Sequence, residues 1–192
     1  METHITSMCQ AAFYRLRMIK CIRSTLTRES IETLIHAFVT SRLDNGNALL
    51  PGLPNSLLNK LQLVQNVAAG TVLCLKKSDH ITPAFKGLHW LPIKQRIDYK
   101  LLVLTWKALH NQAPVYIGDL VKPLAYCRTR RSSNQMLLEV PRTKLKSCGD
   151  RAFSVAAPIA WNKLPVGIRS IENLEAFKQK LKAHMFHCAL ES

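Results

Sequence analysis

The sequence predicts a mainly α-helical protein: a helical bundle over residues 1–121, then a basic C-terminal extension, residues 122–192, with a small β excursion and further helices. Three observations predict it. Apolar residues recur at three- and four-residue spacing through most of the first 110 positions. Turn-forming Asp, Asn, Gly and Pro cluster between those runs, and Pro83 and Pro92 stand where helices would begin. The composition, 47% hydrophobic with 7 glycines and 9 prolines, is that of a globular chain.

Residues 5–24 read as the first helix. Ile5, Met8, Cys9, Ala12, Leu16 and Ile19 fall near one face, with Arg15, Lys20 and Arg23 largely off it. Thr27 is placed to cap a second helix, with Glu29 in its first turn, where the helix dipole favours negative charge. Ile31, Leu34, Ile35, Phe38, Val39 and Leu43 form its apolar row. Turn residues at 44–47 and 51–56 lead into a third helix over 54–75, striped by Leu57, Leu61, Val64, Ala68 and Val72. Thr82-Pro83 opens one short helical turn. Pro92 opens a fourth helix reaching His110, because a first turn has no use for the N–H that proline lacks. Ile93, Ile97, Leu101, Leu104 and Ala108 make one face. Leu102, Val103, Trp106 and Leu109 fill most of the rest, so this helix is expected to be central and mostly buried.

After Pro114 the composition changes. Residues 116–121 fit one helical turn. Residues 122–151 hold eight basic side chains opposed only by Glu139 and Asp150, and their apolar content suggests a two-stranded β excursion. A helix over 151–163 carries Phe153, Ala157 and Trp161, with Pro158 able to kink it or delay its start. Asn173 caps the last helix, striped by Leu174, Phe177, Leu181 and Met185, with Lys178, Lys180 and Lys182 on the wet side.

With 27 Lys and Arg against 12 Asp and Glu, the net charge is +15, which points to a polyanionic partner. No apolar run approaches the length of a membrane span, and the first ten residues lack the apolar core of a secretory signal. The six cysteines contain no Cys-x-x-Cys pair and read as reduced thiols of a nuclear or cytoplasmic protein, with Cys21 and Cys74 expected in the core.

The carboxylates are scattered, so no site for paired divalent cations is expected and no catalytic residue is assigned. There is no glycine-rich phosphate loop and no Gly-x-Ser-x-Gly elbow. His184 and Cys188 are four apart, but two ligands do not close a zinc site, so neither metal nor cofactor is expected. The candidate nucleic-acid-binding residues are Arg128, Arg130, Arg131, Arg142, Lys144 and Lys146. Ser132, Ser133 and Asn134 would add hydrogen bonds, and Tyr126 a stacking surface. Trp90 and Trp161, each followed by Leu and Pro, read as packing anchors at chain reversals, and His89 as a hydrogen-bonded corner residue.

The blocks SRLDNGNALLPGLP, LQLVQNVAAGTVL, HITPAFKGLHWLPIKQRIDYKLLVLTWKALHNQAPVYIGDLV, RTRRSS, GDRAFSVAAPIAWNKLPVGIRS and FKQKLKAHMF occur here in that order. In this order they resemble the C-terminal end of the reverse transcriptase polyprotein of LINE-type, non-LTR retrotransposons of the jockey and chicken-repeat kind. The resemblance covers essentially the whole chain, and its most specific pieces are LHWLPIKQRI and AFSVAAPIAWNKLP. It implies a thumb-like bundle over 1–121 and an extension over 122–192, lying downstream of a polymerase palm in the same polypeptide. Contacts with RNA or DNA backbones follow from it, but not catalysis, because the family's aromatic-x-Asp-Asp pair is absent here. Asn45-Gly46 stands where the family usually has Tyr-Cys, and Gly70 where an arginine commonly follows the Ala-Ala pair, which fits a decaying or domesticated copy. Two readings follow: a non-catalytic nucleic-acid-binding fragment of the polymerase, or an inert or domesticated remnant that acts, if at all, as a protein-interaction domain.

Overall fold

A computed structural model describes residues 1–76, 78–124, 136–143 and 149–190. The protein is mainly helical. It forms two compact units. Met1–Gly46, Leu53–Arg96 and Ala189–Ser192 make the first; Asn47–Gly52 and Ile97–Cys188 make the second. This division by contacts falls at Arg96, whereas the division at residue 121 is one of composition.

In the first unit, α1 (Glu2–Ile22) buries Ile5, Cys9, Ala12, Leu16 and Ile19, the row that the spacing requires. A 3-10 turn, Arg23–Thr25, ends it. Thr27 then caps α2 (Arg28–Ile35), its hydroxyl oxygen accepting from the Ser30 amide at 3.3 Å. The second helix is not α-helical throughout. His36–Thr40 forms a π-helical turn, and Ser41–Leu43 returns to α geometry. The buried residues here are Ile31, Ile35, Val39 and Leu43, all four apart. In a straight α-helix each four-residue step advances by about 40°, which would carry the row off the core. The wider π turn winds it back. Phe38, expected within the apolar row, is therefore 50% exposed.

α3 (Asn55–Leu73) packs against α1 and α2 and buries Leu57, Leu61, Val64, Ala68 and Val72 as expected. It ends at Cys74, a left-handed residue at φ 62° whose N–H donates to the Gly70 carbonyl. α4 (Thr82–Leu88) ends on His89 at φ 52°. The His89 N–H donates to Lys86 O at 3.2 Å and the Trp90 N–H to Phe85 O at 3.0 Å, a Schellman closure that turns the chain inward. His89 is thus the expected corner residue. Trp90 is buried and stands edge-on to His36, ring centroids 5.2 Å apart.

Cys21 and Cys74 are exposed, contrary to the expectation that both are core. Cys21 lies two residues past Ile19, on the opposite side of α1, and Cys74 has left its helix for the cap. Among the described cysteines, Cys9 is the buried one. Its pKa is raised by burial, an effect partly offset by the charge of Lys60.

α5 (Ile93–Leu109) begins in the first unit and continues in the second. Only Lys94 and Lys100 along it are exposed, as its all-round apolar pattern requires. Leu101 packs on Ala156 and Ala157 of α7 (Phe153–Asn162), after the short α6 (Val115–Gly118). Leu104, expected beside Leu101, is only half-buried. Pro158 sits inside α7 and is buried; it cannot donate to the Ser154 carbonyl, yet the helix continues through it. After α8 (Val166–Arg169), Asn173 caps α9 (Leu174–Leu190), its side-chain oxygen accepting from the amides of Glu175 and Ala176 at 2.9 and 3.1 Å. Phe177 of α9 lies 5.9 Å from both Trp106 and Trp161, joining the two buried indoles.

The expected two-stranded β excursion is not present among the described residues. One antiparallel bridge, Pro123 to Leu138, stands in its place. Leu124 N–H donates to Leu137 O and Glu139 N–H to Lys122 O, both at 2.9 Å. Pro141 has no N–H to donate at the next step beyond Glu139, so among the described residues the pairing does not extend on that side.

Two substitutions test this packing. Leu101→Ala should cost about 2–5 kcal/mol in urea denaturation, because it opens a cavity against Ala156 and Ala157. A loss near zero would place Leu101 outside the core. At Gly70, by contrast, a methyl group would meet nothing closer than Leu75 Cβ at 3.8 Å, so Gly70→Ala should stabilise the protein by up to about 1 kcal/mol. A lower melting temperature would contradict that geometry.

Candidate nucleic-acid interface

The basic extension is mounted on α7 by a pair of adjacent side chains. Asn162 holds Leu138 at both backbone groups. Its Oδ1 accepts from the Leu138 N–H, and its Nδ2 donates to the Leu138 carbonyl, each at 2.9 Å. Trp161, fully buried, donates from Nε1 to the Met136 carbonyl at 2.9 Å. Met136 itself is left-handed, at φ 49°. The side-chain amide of Asn162 thus replaces the neighbouring strand that the segment lacks. Leu138, 2% exposed, is drawn into the core as the apolar anchor. Together with the Pro123 bridge, this clamp holds Lys122–Leu124 beside Met136–Leu138.

A second closure follows. Thr143 Oγ1 donates to Asp150 Oδ1 at 2.7 Å. Gly149 is required beside it, since a Cβ there would come within 2.6 Å of Thr143 Cβ. Arg151, at the end of the basic stretch, is used for packing. Its stem lies across Gly52, which takes φ 68°; a Cβ on Gly52 would come within 2.8 Å of Arg151 Cγ.

Of the candidate binding residues, Arg142 is described and is exposed. Arg128, Arg130, Arg131, Lys144 and Lys146 lie outside the described residues, as do Tyr126 and Ser132, Ser133 and Asn134. The cavity beside the bridge, about 310 Å³, is lined by Asp119 and Glu139 as well as Lys122, and this mixed charge does not suit an anion. Trp90 and Trp161 are both buried and give no face to a base. The clamp residues Asn162 and Trp161 were singled out by sequence only as part of a Trp-Leu-Pro corner; nothing in the spacing marks Asn162 as the partner of Leu138.

Elsewhere, Cys188 Sγ lies 3.8 Å from His184 Nε2, as their spacing on α9 allows. Among the described residues no group of three or more His, Cys, Asp or Glu is placed to hold a metal, and no helix is long and apolar enough to cross a membrane. Comparison with protein-family models, with curated proteins and with solved structures finds no match.

Asn162→Ala should cost about 1–3 kcal/mol, since it leaves both backbone groups of buried Leu138 without partners. Chemical denaturation reads the cost directly. An unchanged midpoint would show that the clamp does not hold the segment.

Proposed function

We propose that this chain is a non-catalytic nucleic-acid-binding segment of a LINE-type retrotransposon reverse transcriptase, contacting the backbone of template RNA or of a primer–template duplex. The observation that carries the reading is a basic segment whose ends are pinned to the core. Lys122–Leu124 and Met136–Leu138 are held by the bridge and by Trp161 and Asn162. Cations presented on an anchored segment lose less conformational freedom when they meet phosphates. The ordered blocks of the resemblance support the same reading. Its two most specific pieces supply the Trp90 corner and the Trp161–Asn162 clamp, both packing elements. Backbone phosphates are the target because a net charge of +15 recognises charge rather than sequence.

A protein-interaction role is the second reading, and exposed apolar side chains favour it: Val115 is 79%, Tyr116 69% and Leu120 45% exposed around α6. One experiment separates the two. The triple change Arg128, Arg130 and Arg131 to Ala should weaken binding to RNA and duplex alike, whatever the sequence. It should flatten the plot of log affinity against log salt by about 0.7 units per lost contact on single strands and about 0.9 on B-form duplex. Slopes that coincide with the parent's would remove this stretch as the binding surface. No binding of the parent to either nucleic acid would leave the interaction reading.

A further inference from the structure

The first unit has a concavity of about 490 Å³ at the corner where α1 passes into α2. Lys20, Arg23 and Arg28 line it, with the Ser24 hydroxyl, and no carboxylate does. Among the described residues none of these three cations is in an ion pair. Four of the described acidic groups of the same unit are engaged elsewhere. Glu2 meets Lys60, Glu32 meets His36, Asp44 meets Arg96, and Asp79 accepts from the Lys76 amide. Glu29 follows Arg28 directly, but it is exposed and does not line the hollow. Three like charges around one hollow repel each other, and an anion there relieves that repulsion.

The hollow is not wholly polar. Leu26 and the buried Ile31 and Val72 also line it. A bare phosphate ion has no use for an apolar wall, and the volume lies within the roughly 300–1,000 Å³ range of sites for small organic ligands. The lining therefore suits a phosphate ester with a carbon-rich body. A duplex would present phosphates to the cations but keep its bases stacked inside. A single strand can turn a nucleoside onto the apolar wall.

We infer that this concavity seats a phosphodiester of a single-stranded nucleic acid, with Lys20, Arg23 and Arg28 on the phosphate oxygens and the attached nucleoside against Leu26, the part-exposed apolar side chain of the lining. The inference rests on the nucleic-acid reading above but uses residues other than 122–151.

Cys74 provides the test, because its thiol is exposed and lines the same hollow. The full chain is treated with iodoacetamide with and without a short single-stranded RNA, and modification is read by peptide mass spectrometry at Cys74 and at exposed Cys188. RNA should slow modification of Cys74 several-fold and leave Cys188 unchanged. The variant Lys20→Gln/Arg23→Gln/Arg28→Gln should lose that protection. Its salt slope on the single strand should flatten by about 2 units, three contacts at about 0.7 each. Circular dichroism checks that it folds, and Arg28→Gln alone, with a proportionate loss, serves if the triple variant does not. RNA binding without protection of Cys74, or an unchanged slope in the folded variant, overturns the seat and leaves binding through residues 122–151 standing. Protection by phosphatidylserine vesicles or by inorganic phosphate, but not by RNA, also overturns it. An absence of RNA binding by the parent chain defeats the nucleic-acid reading itself.

Discussion

Backbone that leaves a helix inside a core still needs hydrogen-bond partners, and in this protein side-chain amides supply them. The start of α5 shows the need. Its first residue, Ile93, is buried, and an N–H there has neither a partner within its own helix nor ready access to water. Gln62 Oε1 accepts from the Ile93 N–H at 2.9 Å, and Gln65, itself buried, donates from Nε2 to the Leu91 carbonyl at 2.8 Å. Both glutamines project from α3, so the entry into α5 is held by the helix beside it. Asn162 does the same for Leu138, and Trp106 and Trp161 donate their indole N–H groups to the Ile171 and Met136 carbonyls. Without these partners the connections 89–93 and 136–138 would carry unpaired polar groups at about 1–3 kcal/mol each.

Charge is arranged on the same scaffold in two ways. Arg96 makes a bidentate pair with Asp44, which ties the turn after the π segment to the start of α5. Such a fork fixes geometry because both oxygens are engaged. Lys20, Arg23 and Arg28 have no such partners and stand around one hollow. The difference follows from supply: 12 Asp and Glu cannot pair one to one with 27 Lys and Arg, so many cations are left without an acidic partner.

Much of the helical framework was legible because burial repeats with the helix. The rows of α1 and α3 are buried residue for residue, apart from Met8, which is only partly so, and the prolines and Thr27 mark starts where they were read. The failures have physical causes. Strict four-residue spacing of Ile31, Ile35, Val39 and Leu43 carried the π turn, but the same letters fit an α-helix with a broad apolar face. Cys21 and Cys74 have apolar neighbours in sequence, yet sequence neighbours on a helix point in different directions. The apolar content of 136–140 suggested strand, but a ladder needs a donor at every second residue, and Pro141 has none to give beyond Glu139. Of the candidate interface, only the presence of a cationic stretch was legible; the clamp that mounts it depends on residues 24 positions apart.

By itself the sequence determined the helical class, the sides of α1, α3 and α5 that meet the core, and the excess of positive charge. These follow from local periodicity and composition, which each segment carries without reference to any other. Only the tertiary structure decided which side-chain amide meets which backbone group, and which three cations come to surround one hollow. Those choices depend on distances between segments remote in the chain, and no spacing along a single helix encodes them.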